Sequence, residues 1–238
     1  MVGLTPTPVA VLPMSIIAAA LRATLPVMFG YVPLGMAFGI LFQDLGYPWY
    51  FATLMAIFVF AGAAQFMAIG LLAANAGLLE VAVSTLALNS RHIFFGLSVM
   101  SRYSCRGVKK LYLIFGLTDE TYSLITSTPA PAHGRENDYY LAITALNQSY
   151  WVIGCTLGAL LGRLIDFDTR GMEFALTALF LVLLIEQWKK VREPVPFLLA
   201  AICGIGALLL FREQMLLVSI ALSVVLLIVR RHLSKSPA

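Results

Sequence analysis

Apolar residues run along the chain in blocks, at about 23–42, 48–79, 81–100, 111–128, 139–162, 172–188, 194–211 and 214–229. Blocks of roughly 20 uncharged residues are long enough, as helices, to cross a hydrocarbon core. Residues 8–21 are apolar too, and Arg22 separates them from the first block, so they suit a helix lying in the membrane interface. The longest polar stretch is STPAPAHGREND, residues 127–138, too short for a soluble domain. Tyr47, Trp49, Tyr50 and Trp188 sit at block ends, where aromatic rings anchor at headgroup level.

Composition sharpens the pattern. Of the 238 residues 60% are hydrophobic and 12% charged, with a mean hydropathy of +0.89. A soluble domain carries about 25% charged residues. The expected fold is therefore an all-α polytopic membrane protein. Its organisation reads as an N-terminal tail at 1–22, one transmembrane domain at 23–229 and a basic tail at 230–238. The N-terminus lacks the positive n-region of a secretory signal and is expected to be kept. Net charge is +4, but Lys and Arg lie between apolar blocks, so no basic face exists for nucleic acid. Cys105, Cys155 and Cys203 are scattered, with no CxxC spacing, and imply neither a disulfide framework nor a metal knuckle.

Charge also bears on topology. If all eight blocks cross, Lys and Arg divide eight against seven, which is no bias. If block 111–128 enters and leaves on one side, with the N-terminus outside, the count becomes eleven against four. That block is also the one interrupted by adjacent acids, in FGLTDETYSL. The expectation is seven crossings plus one re-entrant or broken segment. Dropping a crossing between 139 and 188 would help almost as much. Under this topology block 139–162, with GCTLGALLG, runs opposite to block 23–42, with GYVPLGMAFG, as an inverted repeat would require.

The polar groups inside the blocks carry the candidate chemistry. Gly35 and Gly39 form a small-xxx-small face, and Pro33 removes a helix hydrogen bond. Either the helix is kinked and tightly packed there, or it unwinds and offers backbone groups to a substrate. Residues 45–79 are uncharged over 35 positions, more than one perpendicular helix needs. Gly62 is the natural break, and Gln65 must find partners, either in packing between helices or at a pore. Within LALNSRHIFFG, Arg91 is costly, at about 3 kcal/mol for a charge in mid-membrane. Asn89 and His92 share a helical face, and a break at Asn89–Ser90 would let Arg91 converge with them. Two short pieces with Arg91 near the interface are the plainer alternative. Asp119 and Glu120 are the counter-charges, one to pair with Arg91 and one to face a pathway or cap a half-helix; a solvated loop is the other reading. Asn147, Gln148 and Trp151 add polar groups, while Glu186 and Gln187 sit beside lysines as an interfacial pair. No GxSxG, HExxH, P-loop or dinucleotide fingerprint is present. His133 and His232 lie in a loop and in the tail, so no metal cluster emerges.

Taken in order, PVMFGYVPLGMAFGILFQDLG, FVFAGAAQFMAIGLL, LNSRHIFFGLS, LTDETYSL, WVIGCTLGALLG and GMEFALTALF resemble the AzlC family, over about residues 20–190. These are large subunits of two-component exporters of branched-chain amino acids in bacteria. The resemblance implies outward transport of Leu, Ile, Val or a related neutral amino acid such as Met across the cytoplasmic membrane. It also implies a small hydrophobic AzlD-type partner, no cofactor and no enzymatic activity. The matching motif positions are Gly35, Gly62, Gln65, Asn89, Arg91 and His92 for the transport path, and Asp119 and Glu120 for coupling or counter-charge. The residues suit a zwitterion independently. Arg91 or a helix N-terminus would take its carboxylate, and Asp119, Glu120 or freed carbonyls near Gly35 and Gly62 its amine. Phe60, Met67 and Phe94 are candidate walls for its side chain. Uphill export needs a driving ion, for which a proton is the simplest choice. The rival readings are an uncoupled pore and an intramembrane enzyme built on Ser90, His92 and Asp119.

Overall fold

A computed structural model describes residues 15–130, 135–164, 181, 184–185, 188–189, 193–212 and 215–233. Residues 1–14, His133, most of block 172–188 with Glu186 and Gln187, and residues 234–238 lie outside the described residues. All regular structure among the described residues is helical. The helices are α1 (Ile16–Asp44), α2 (Trp49–Phe58), α3 (Gly62–Ala73), α4 (Leu78–Asn89), α5 (Arg91–Val99), α6 (Val108–Phe115) and α7 (Asp119–Ser127). They are followed by α8 (Glu136–Leu164), α9 (Pro194–Leu210) and α10 (Met215–Leu233).

The long α1 is started by Ser15, whose hydroxyl accepts from the Ala18 amide at 3.2 Å. It continues for 29 residues through Pro26 and Pro33, a length of about 43 Å. Arg22 is therefore no boundary, because residues 16–22 are the first two turns of the helix rather than a separate interfacial piece. Helical turns on either side of each proline keep their own bonds, so neither ring unwinds the chain.

Helix α8 lies along α1, and the two run parallel. Thr24 Oγ1 shares a hydrogen bond with Tyr150 Oη at 3.2 Å, and the Tyr31 and Trp151 rings meet at 5.4 Å. Further along, a Cβ on Gly35 would stand 2.9 Å from Cys155 N, and one on Gly162 would stand 3.3 Å from Ile40 Cα. Residue numbers rise together along both helices, which corrects the expectation that these segments run oppositely. Gly39 and Gly158 bring backbone against backbone, with Cys155 O and Met36 O where side chains would be. Gly35 is thus a packing residue in a continuous helix and presents no free backbone group.

The two ends of this pair define the rest. We refer to the end with Ile16 and Tyr139 as the near end, and that with Asp44 and Leu164 as the far end. From the far end α2 descends antiparallel to α8: Thr53 and Thr156 hydroxyls bond at 2.8 Å, and Gln148 Nε2 donates to Ile57 O at 3.0 Å. The chain then turns at residues 59–61, where Phe60 has φ 42°, a left-handed conformation strained for a bulky residue. α3 returns towards the far end. Its Gly62 faces the Trp151 ring, and its Phe66 packs edge-on to Phe38 at 5.7 Å. α2 and α3 are a hairpin that reaches only halfway.

α4 and α5 form one run with a break at Ser90, and they descend to the near end. There Val99 and Tyr103 join Ala19, Ala20 and Tyr139 in a common core. α6 then climbs from the near end, with Leu113 in that core, to a turn at Gly116–Thr118. α7 goes back down, so that Arg102 Nη1 donates to Ile125 O at 3.2 Å. This second hairpin enters from the side opposite to the first. α9 and α10 pair antiparallel, with Arg230 3.3 Å from Glu193.

Candidate functional site

The tips of the two hairpins meet beside α1 and α8. The Phe60 and Phe115 rings approach to 6.3 Å, and a cavity of about 70 Å³ opens at this junction. α1 supplies Tyr31 and Leu34, the first tip Phe60 to Ala63 with Phe66, and α8 supplies Trp151. The α4–α5 break supplies Asn89, Arg91 and His92, and the second tip Thr118, Asp119 and Glu120.

The break at Ser90 follows from local chemistry. The Ser90 hydroxyl donates back to Ala87 O at 2.8 Å, competing with the helix ladder as serine does. His92 Nδ1 lies 3.1 Å from Asn89 O across the same step. Arg91, the first residue of α5, thereby reaches Asp119, with Nη2 2.8 Å from Oδ2. The Arg91 Nε, also buried, has no hydrogen-bond partner among the described residues. A charge at this depth needs a partner, and Asp119 is the partner.

Thr118 caps α7, its hydroxyl accepting from the Thr121 amide at 3.2 Å. Asp119 and Glu120 follow as the first two helical residues, where the helix dipole favours negative charge. Being about 100° apart around the axis, the two carboxylates diverge. Asp119 turns to Arg91, while Glu120 Oε2 accepts from the Tyr31 hydroxyl at 2.5 Å. Tyr31 also shares a bond with Thr118 Oγ1 at 2.9 Å, so α1 holds the second tip in place. Behind it, Asn147 Nδ2 donates to Thr121 Oγ1 at 3.0 Å.

The first tip is less tied. α3 starts at Gly62 with no side-chain cap, and its opening residues form cavity wall. Gln65 is fully buried one turn on, and its Oε1 accepts from Trp151 Nε1 at 2.8 Å.

The sequence-derived positions divide plainly. Gly62, Asn89, Arg91, His92, Asp119 and Glu120 line the cavity. Gln65 stands behind its wall and fixes Trp151, and Gly35 lies in the α1–α8 seam. Of the proposed wall residues Phe60 is in place, whereas Phe94 points outward and Met67 is not part of the lining. Tyr31, Leu34, Phe66 and Thr118 were not anticipated. A lone tyrosine inside the glycine- and proline-rich span was the available signal for Tyr31.

A family model described as AzlC protein matches residues 26–165. The branched-chain amino acid transport protein AzlC of Bacillus subtilis (strain 168) is 34% identical over 92% of this chain and 87% of its own. An uncharacterized membrane protein of Helicobacter pylori (strain ATCC 700392 / 26695) is 39% identical over 87% of this chain and 92% of its own. The inner membrane protein YgaZ of Escherichia coli (strain K12) is 29% identical over 71% of this chain and 72% of its own. No solved structure matches the chain.

Proposed function

This chain belongs to the AzlC family of membrane transport proteins, and from that we propose that it is the large subunit of a secondary exporter of branched-chain or related neutral amino acids. The cargo class is Leu, Ile, Val and Met, moved out across the bacterial cytoplasmic membrane together with a small AzlD-type subunit.

The observation that carries this reading is the cavity at the meeting of the two tips. It combines an Arg91–Asp119 pair, a second carboxylate on Glu120 and an apolar wall from Leu34, Phe60, Phe66 and Trp151. An amino acid with a branched apolar side chain can use an anionic group for its ammonium and an apolar wall for its side chain. Half-helices that end at mid-depth against a substrate are a recurring device of secondary carriers.

The same geometry suggests the membrane topology. With each hairpin entering halfway, the crossings among the described residues are α1, α4–α5, α8, α9 and α10; with block 172–188 counted as a sixth on its sequence alone, six cross rather than seven and the N-terminus is inside. Twelve Lys and Arg then lie inside: Arg22, Arg102, Arg106, Lys109, Lys110, Arg135, Lys189, Lys190, Arg192, Arg230, Arg231 and Lys235. Three lie outside: Arg163, Arg170 and Arg212, with Arg91 within the membrane. Twelve against three is a stronger inside bias than eleven against four. In this arrangement the unit of inverted repetition is one spanning run plus one hairpin: α1 with α2–α3, then α4–α5 with α6–α7.

Export against a gradient requires a driving ion, and the proposal takes it to be a proton carried by the carboxylates of the second tip. Uptake of labelled leucine into inverted vesicles containing both subunits tests this. The reading expects accumulation that rises with an imposed pH gradient. Uptake indifferent to that gradient removes proton coupling, and no uptake of any branched-chain amino acid removes the function.

A further inference from the structure

Three ionisable side chains, Arg91, Asp119 and Glu120, line the cavity, and they are unequally matched. Arg91 and Asp119 face one another at 2.8 Å and cancel. Glu120 has only the neutral Tyr31 hydroxyl on its carboxylate, and among the described residues no Lys, Arg or His is paired with it. His92, the other titratable lining group, is engaged through Nδ1 with the Asn89 carbonyl, a bond that a neutral imidazole can donate. The α7 N-terminus tolerates the Glu120 charge, being equivalent to roughly half a positive charge, but supplies no full counter-ion.

We propose that Glu120, held by Tyr31, is the ammonium site of this cavity, so that the protein anchors its cargo by the amine rather than by the carboxylate. The assignment rests on the transport reading above and narrows it. Arg91, already neutralised, is a positioning residue that holds the second tip through Asp119. The cargo's alkyl group lies against Phe60, Phe66 and Leu34, which share the cavity with Glu120. A consequence is that the carboxylate is dispensable for recognition. Branched aliphatic primary amines and amino-acid amides belong to the ligand class, and the matching 2-oxo acids do not.

The test uses the two-subunit complex in detergent, with leucinamide and 4-methyl-2-oxopentanoate as probes, read as thermal stabilisation and as competition with labelled leucine in vesicles. Leucinamide is expected to stabilise the protein and to compete with leucine, while the oxo acid does neither at a hundredfold higher concentration. Glu120→Gln is expected to weaken the leucinamide response at least tenfold. Stabilisation by the oxo acid and not by leucinamide overturns the assignment, as does stabilisation by neither. If leucinamide stabilises the complex but leucine is not transported, the export reading falls and the ammonium site stands.

Discussion

Arg91 Nη2 stands 2.8 Å from Asp119 Oδ2, and this contact ties the broken α4–α5 run to the tip of the α6–α7 hairpin. Both side chains are partly exposed, at 21% and 35%, because they border the cavity. Solvent screening weakens their attraction, while removing one member still strands a charge at membrane depth. Asp119→Asn is expected to cost about 1–3 kcal/mol of stability. Arg91→Gln combined with Asp119→Asn should be milder than either change alone. Thermal unfolding of the four proteins in one detergent measures the coupling; additive losses would mean that the contact carries no energy.

Tyr31→Phe removes one hydroxyl and keeps the ring against Trp151. A hydrogen bond to a charged group is worth about 1.5–3 kcal/mol, which corresponds to roughly a 10- to 150-fold change. Leucine transport should fall within that range at unchanged membrane abundance. Transport within twofold of wild type would show that Glu120 does not need Tyr31.

Gly39→Ala and Gly158→Ala place a methyl group against backbone atoms of the facing helix, so α1 and α8 must separate. Overpacking of this kind costs about 1–3 kcal/mol. Gly70→Ala, with nothing within 4 Å of the new carbon, should leave the melting temperature unchanged or slightly higher. Equal effects at all three positions would contradict the close seam.

The hairpins predict sidedness. In a version lacking Cys105, Cys155 and Cys203, Tyr47→Cys and Ala74→Cys should both react from outside with an impermeant maleimide. Arg106→Cys and Thr128→Cys should both react only from inside. Labelling of Tyr47→Cys and Ala74→Cys from opposite faces would make α2–α3 a crossing.

Much of the site was legible because charge is expensive in hydrocarbon. Arg91 demanded a partner, the neighbouring acids Asp119 and Glu120 were the available ones, and Asn89–Ser90 was a credible break. The α2–α3 return was not legible. Its turn at Phe60 holds neither glycine nor proline at the strained position, and no Lys or Arg occurs between Arg22 and Arg91. The positive-inside rule therefore had no charge with which to locate residues 44–48 or 74–77. Gly35 was ambiguous for a different reason: a glycine that admits a neighbouring helix and one that frees a backbone group look alike until the neighbour is known. The GCTLGALLG segment was read as its inverted counterpart and is instead the helix it packs on.

The central claim is that the cavity between the two tips is where cargo is held during export. The most direct measurement is the efflux of preloaded leucine from cells making the chain with its small partner, comparing wild type with Glu120→Gln at matched membrane abundance. The account predicts uphill efflux by wild type and loss of at least nine-tenths of it in the variant. Full uphill efflux by Glu120→Gln would contradict it, and would place the transport path elsewhere in the bundle.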